Sequence, residues 1–390
     1  MTQKQRRYFR VPLHFLWLIP VLLVLPMKPI PGKEILPQTN HPEVPLRLAI
    51  AGLVHGHVQG FLNQLAGRKD ILLVGIAEPD THLSERYVGL AGIKPNIVFN
   101  DLGKMLDATH PQAVAAFTST RGHLEVLRAC AARRIPVMME KPLAVGMEQA
   151  REMARLANEA GIQLVVNYET TWYPSNTLAY SMAVDKKSFG EIRKIVVHDG
   201  HSGPKEIGCP EEFLHWLTDP VENGAGALFD FGCYGANLAT WLMGNERPLT
   251  VTAITQQIKP QIYPKVDDEA TIVLTYPKAQ VIIQASWNWP YNRKDMEIYG
   301  TAGYFVALDR ENVRVRQSEQ GEQAYKADPL SAPMDDSANY LAAVAQGRIR
   351  LSGLSSLENN LIVTEILDAA RRSAQSGSTV QLTKTDARNR

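Results

Sequence analysis

The 390-residue chain predicts an α/β protein in two parts: a doubly wound parallel sheet, then an α+β domain on a large open, mainly antiparallel sheet. Three observations lead there. From residue 46 to 167, short continuous apolar runs alternate with amphipathic segments of helical spacing. Strands with no polar side need cover on both faces, and intervening helices give that cover in a parallel sheet. From residue 168 to 382, strand-like runs follow one another without intervening helices, which marks antiparallel pairing. Length agrees, because a chain of this size divides into two or three domains.

In chain order, "LRLAIAG" reads as a strand, "VQGFLNQLAGR" as a helix, "ILLVGIA" as a strand and "THLSERYVGLAG" as a helix. "NIVF" is a short strand, and "DLGKMLDA" a helix opened by an Asp cap. "QAVAAFT", "IPVMM" and "IQLVVNY" are further strands, separated by the helices "GHLEVLRACAARR" and "GMEQAREMARLANEAG". In the second part, "SNTLAYSMAVDKK" reads as a helix, "EIRKIVVHDGH" as a strand, and 229–243 as a helix. The strands "LTVTAITQQI", "DEATIVLTY", "AQVIIQASWNW", "KDMEIYG" and "GYFVALD" follow. Two helices close the chain, the latter stopped by Gly377, before a tail at 383–390.

Composition is that of an ordinary globular protein, 45% hydrophobic and 21% charged. A net charge of +1 provides no field for nucleic acid. Cys130, Cys209 and Cys233 match no disulfide framework or metal spacing and read as buried or half-buried thiols. Residues 1–45 stand apart: a basic start, an apolar run at 11–27, then a proline-rich polar tether. That layout predicts a signal peptide or short membrane anchor, hence an exported or membrane-anchored protein on the periplasmic side. Arg6 and Arg7 resemble the twin-arginine export signal. A mis-assigned start upstream of a cytoplasmic enzyme is the alternative.

Parallel doubly wound sheets bind ligands outside the carboxyl ends of their strands. The loop after the first strand, "AGLVHGHVQG", carries Gly52, but Val54 and His57 stand where a dinucleotide fingerprint has its second and third glycines, and Gly56 comes one place early. Its place at the first strand-to-helix turn still suits a pyrophosphate held by backbone N–H groups. His55 and His57 are nucleotide contacts or plain polar loop residues. Glu78, ending the second strand, is placed to accept hydrogen bonds from ribose hydroxyls, with Asp80 in reserve. A carboxylate there repels a 2′-phosphate, so NAD is expected over NADP. Lys141, between Glu140 and Pro142 at the end of the fifth strand, borders the same crevice. It can stabilise an alkoxide forming during hydride transfer, with Glu140 orienting the ammonium; a solvated lysine is the bland reading.

"EKPLA" after an apolar strand, preceded by "TSTRGHLEVLRACAARRIPV", together with "GAGALFDFGCYGANLATWLMG", resembles the Gfo/Idh/MocA oxidoreductases from Leu46 to Leu382. The resemblance implies a Rossmann domain at 46–167 and, at 168–382, a substrate domain whose open sheet often forms a subunit interface, hence a homo-oligomer. It also implies that Lys141 and Asp230 line the catalytic pocket. Tyr234 stands where most members have the acid/base histidine, and Lys141 beside it is expected to favour the ionised phenol, a workable proton relay. Thr118, Ser119 and His123 match positions beside the cofactor, where each could equally be a capping or loop residue. Trp172 and His201 are candidate substrate contacts, as are His215 and Trp216; helix or core packing is the alternative for the aromatic rings. No metal is expected, the pair His198 and His201 lacking an evident third ligand.

The activity expected is therefore hydride transfer between a nicotinamide and a hydroxyl or carbonyl carbon of a sugar, polyol or related compound. Two other readings stand beside it. One is a redox-assisted glycosidase that keeps its NAD; the other is a non-enzymatic nucleotide or metabolite sensor.

Overall fold

Six parallel strands make the first sheet: β1 (Leu46–Ala51), β2 (Ile71–Ala77), β3 (Val98–Phe99), β4 (Ala113–Ala116), β5 (Val137–Glu140) and β6 (Leu164–Asn167), in the order β3-β2-β1-β4-β5-β6. The structure is a computed structural model and describes residues 44–382. The expected leader or membrane anchor and the 383–390 tail lie outside the described residues. No helix among the described residues is long and apolar enough to cross a membrane.

Helices α1 (Val58–Leu65), α2 (Thr81–Ala91), α3 (Leu102–Thr109), α4 (His123–Ala131) and α5 (Met147–Ala160) connect these strands. β1, β4 and β5 are almost wholly buried, as the lack of a polar alternation requires. The Asp101 side chain accepts from the Lys104 N–H and opens α3 as expected. The strand expected over 96–99 shrinks to two residues, because a 3₁₀ turn led by Pro95 takes its first half.

The second part begins with α6 (Pro174–Tyr180), which runs on into a π-helical turn, and β7 (Ile192–Gly200). Helices α7 (Glu211–Leu217), α8 (Pro220–Asn223), α9 (Ala227–Asp230) and α10 (Gly232–Leu242) follow. The sheet continues with β8 (Thr250–Gln256), β9 (Glu269–Thr275), β10 (Gln280–Ser286), β11 (Arg293–Gly300), β12 (Gly303–Ala307), β13 (Asn312–Gln317) and β14 (Gln323–Lys326). Helices α11 (Ser337–Ala345) and α12 (Leu357–Ser376) and the short β15 (Val380–Gln381) end it.

The nine strands order as β14-β13-β12-β11-β7-β10-β9-β8-β15, antiparallel except for the parallel pair β7–β10. One face is buried by Val251, Ile272, Val281 and Ile283 under α10 and α12. Each such fully buried side chain contributes about 1.5–3 kcal/mol. Gly377, at φ 64°, stops α12 in the left-handed conformation that favours glycine. Strands β13 and β14 and helix α7 were not anticipated. β14 is an exposed edge strand with no apolar alternation, and α7 is too short for a periodic signal.

Candidate active site

The site forms where β5 ends. Lys141 follows β5 directly, and the Lys141–Pro142 bond is cis. The ammonium is buried; it donates to Asp230 Oδ1 at 2.5 Å and to the Asp230 carbonyl at 3.2 Å. Trp287, just past β10, donates its indole N–H to Asp230 Oδ2 at 3.0 Å, so both carboxylate oxygens are held. Asp230 ends α9 and Tyr234 lies in the first turn of α10, the i, i+4 spacing at which side chains on successive turns meet. The Tyr234 ring is close to two ammonium groups, its centroid 5.1 Å from Lys141 Nζ and 4.8 Å from Lys294 Nζ. Lys294 pairs with Glu169, whose other oxygen accepts from the Tyr173 hydroxyl at 2.6 Å.

Burial opposes charge on Lys141, but the Asp230 carboxylate outweighs it and holds the ammonium pKa above its ordinary value. Burial likewise opposes the Asp230 charge, and Lys141 holds that carboxyl below its usual range. For Tyr234, burial and then the Glu169 charge push the phenol well above its ordinary value. The expectation that Lys141 favours an ionised phenol is thus corrected: desolvation and nearby carboxylates prevail, and the hydroxyl stays protonated.

Glu140 requires a second correction. Its carboxylate turns away from the Lys141 ammonium to His57, with Nδ1···Oε2 at 3.0 Å, and to the Asn167 amide, which donates to Oε1 at 2.7 Å. Parallel pairing sets Asn167 opposite Glu140. Trp172 donates its indole N–H to Asn167 at 3.0 Å and packs against Tyr340, so it is a buried packing residue and not an open substrate contact. His201 stays near the site, edge-on to Phe231 at 4.8 Å; burial draws its pKa down.

Around the first turn, Gly52 has φ 83°, and a Cβ there would lie 2.7 Å from Thr118 Cγ2. Only glycine fits such a crowded left-handed position. Glu78 is buried at the end of β2, its two oxygens accepting from the Leu53 N–H at 2.8 Å and the Asp80 N–H at 2.9 Å. Asp80, the reserve candidate, instead caps α2 by accepting from the His82 and Leu83 N–H groups. His55 is buried, and burial drives its pKa well down. Its Nδ1 accepts the His57 N–H at 3.2 Å, so the neutral ring carries its proton on Nε2, which has no partner. His123 opens α4 with Nδ1 on the Leu143 carbonyl at 3.1 Å. Ser119 hydrogen-bonds Glu222 at 2.7 Å, while the Thr118 hydroxyl turns to the Ser119 carbonyl.

These groups fit a dinucleotide. The turn at Gly52 is open to close approach, the Glu78 carboxylate keeps lone pairs beyond its two backbone bonds, and His55 has a buried donor to satisfy. Helix α7 crosses this loop: Trp216 donates to the Val54 carbonyl at 3.1 Å, the Phe213 ring lies 3.5 Å from where a Gly56 Cβ would be, and Glu212 pairs with Arg86 on α2. His215 is exposed on the same helix.

Several residues at the site carried no motif: Trp287, Asn167, Glu169, Lys294 and Asp199. Register brings Asp199 of β7 opposite Lys294 of β11, and both Asp199 oxygens are buried without partners. Burial pushes that carboxyl well up, so it is protonated. Only the alternation of β7 and β11 could have assigned these two to one face.

Residues 46–168 match the model of the oxidoreductase family with NAD-binding Rossmann fold, and 178–306 match the GFO/IDH/MocA C-terminal domain. Among curated relatives, D-apiose dehydrogenase of Rhizobium rhizogenes is 24% identical over 285 residues, 68% of this chain and 77% of that enzyme. Trans-1,2-dihydrobenzene-1,2-diol dehydrogenase of Sus scrofa is 23% identical over 52% of this chain, and the match spans just 57% of that enzyme. Among solved structures, aldose-aldose oxidoreductase from Caulobacter crescentus complexed with glycerol superposes with TM-score 0.74 at 21% identity, over 87% of this chain and 100% of that one. The inositol dehydrogenase homolog from Azotobacter vinelandii complexed with NAD+ has the same TM-score at 19% identity, over 87% and 97%. With an NAD-binding Rossmann domain and the matching C-terminal domain, the chain belongs to the GFO/IDH/MocA family of oxidoreductases.

Proposed function

We propose that this protein moves hydride between NAD and the hydroxyl-bearing carbon of a sugar or polyol. The observation that carries the reading is the buried Lys141–Asp230 pair at the carboxyl end of β5, facing the Tyr234 ring. The printed names of the relatives, sugar and diol dehydrogenases, support the substrate class. Glu78, the turn from Gly52 to Val58 and His55 would hold the cofactor, and the nicotinamide supplies the hydride acceptor or donor when bound. Lys141 stabilises negative charge on the substrate oxygen, and Asp230 and Trp287 fix where that ammonium sits. The protonated Tyr234 hydroxyl is a second donor to substrate oxygen.

The test is to purify the protein, identify any retained nucleotide by mass spectrometry, and follow nicotinamide absorbance across a panel of aldoses and polyols. Lys141→Ala is expected to lower kcat by about 10²–10³ while NAD stays bound. If no panel member changes the absorbance, the substrate class is wrong. A redox-assisted glycosidase is a second reading, favoured by α7 lying across the β1–α1 loop, since such cover suits a cofactor that does not leave. Release of phenol from an aryl glycoside without net NADH would establish it.

A further inference from the structure

Hydride transfer to or from an alcohol carbon needs a proton acceptor for the hydroxyl, and at this site nearly every group is arranged to donate. Lys141 is an ammonium held by Asp230, and both Asp230 oxygens are taken by Lys141 and Trp287. Burial keeps the Tyr234 phenol and the Cys233 thiol protonated. Asp199 is a protonated carboxyl, and Glu169 is occupied by Lys294 and Tyr173. His55 and His201 each accept a backbone N–H on Nδ1, from His57 and Gly203, which leaves the proton of the neutral ring on Nε2. His123 is fully buried.

His57 and His123 have the opposite arrangement, His123 with its Nδ1 on the Leu143 carbonyl, and of the two His57 is the exposed one. Its Nδ1 faces the Glu140 carboxylate at 3.0 Å, and an ionised carboxylate can only accept, so Nδ1 carries the hydrogen and Nε2 keeps its lone pair. Burial would raise the Glu140 pKa, but His57 and Asn167 hold it below its ordinary value, so it stays ionised. The His57 side chain is 41% exposed while Glu140 is 1% exposed: an accessible base on a buried, fixed carboxylate. The chain Trp172–Asn167–Glu140–His57 locks the carboxylate at 3.0 and 2.7 Å in its first two links. The charged and titratable groups facing His57 are His55 on its own loop, Glu140 on β5 and Glu169 in the turn after β6.

We propose that His57 Nε2 is the general base of this enzyme, oriented by Glu140. The proposal rests on the oxidoreductase reading. In the oxidation direction the substrate O–H bond breaks and its proton goes to Nε2. The freed electron pair forms the carbonyl π bond as the C–H bond breaks, and hydride leaves to the nicotinamide. The imidazolium that results lies against the Glu140 carboxylate, which stabilises it; in reduction the same group returns the proton.

Two measurements on the full chain test this. Long-range ¹H–¹⁵N correlation spectra of histidine-labelled protein, with His57→Gln for assignment, should show the His57 Nδ1–H tautomer, and Glu140→Gln should abolish its dominance. An Nε2–H tautomer in the parent protein overturns the proposal. For the panel sugar that turns over, His57→Gln should lower kcat by about 10²–10⁴ and remove the acidic limb of the pH–rate profile. Unaltered rate and limb overturn the proposal. Calorimetric binding of Zn²⁺ or Mn²⁺ that His57→Gln abolishes would also overturn it, in favour of a metal on His55, His57 and Glu140. If no sugar turns over, the sugar and polyol substrate class fails and the tautomer still decides the dyad.

Discussion

The Lys141 ammonium and the Asp230 carboxylate meet at 2.5 Å in a buried pair, though 89 residues separate them in the chain. Removing one member of such a pair strands the other in a low-dielectric site. Asp230→Ala is therefore expected to destabilise the protein by about 3–5 kcal/mol in urea unfolding. The double variant Lys141→Met with Asp230→Leu should regain most of that stability and remain inactive. A single variant as stable as the parent would contradict the pair's burial.

His123 provides a pH dependence with a definite sign. Burial outweighs its bond to Leu143 and lowers its pKa from 6.5 to about 4. The unfolded chain thus takes up a proton that the folded state refuses, so the stabilising contribution is present above pH 6.5 and is lost as pH falls toward 4. The expected loss is about 3 kcal/mol across that window. His123→Gln should flatten this part of the stability profile; an unchanged slope would show that other groups cause it.

Gly226 lies where a Cβ would be 1.8 Å from the Asp267 carbonyl oxygen. Asp267 also ties the same run, accepting from the Gly226 N–H at 2.9 Å and the Leu228 N–H at 2.7 Å. Gly226→Ala is expected to cost about 3 kcal/mol or to prevent folding, because backbone must move before the methyl fits. Calorimetry on the purified variant checks this, and a melting temperature equal to the parent's would refute it.

Glu78 is buried at the end of β2, and burial pushes its carboxyl up from its ordinary value; in its ionised form it disfavours an added phosphate. Glu78→Ala should narrow the preference for NAD over NADP by about tenfold, at some cost to stability from the freed Leu53 and Asp80 N–H groups. Fluorescence titration with both nucleotides measures the ratio. An unaltered ratio would remove Glu78 from the nucleotide site.

Trp216 ties α7 to the Val54 carbonyl over the first turn. Trp216→Ala should speed nucleotide exchange by about tenfold, as stopped-flow displacement would detect, without altering the proton-transfer groups. Exchange at the parent rate would mean that α7 does not cover the bound cofactor.

By itself the sequence determined the alternation that makes the first sheet parallel, the Asp101 and Gly377 signals that bound helices, and the delivery of Lys141 by an apolar strand to a carboxyl edge. Those are short-range matters, decided by periodicity, capping and the covering of apolar faces. The family resemblance that its two motifs carry also implied that Lys141 and Asp230 share one pocket. Only the tertiary structure decided what each group does there. Glu140 turned to His57 and not to its neighbour in the chain, and Trp172 went into the core. Desolvation set the Tyr234 phenol against the charge expected of it. Asp199, Lys294 and Trp287 joined a site that no spacing announced, because the partners of a buried polar group come from strand register and domain packing, which act between residues far apart in the chain.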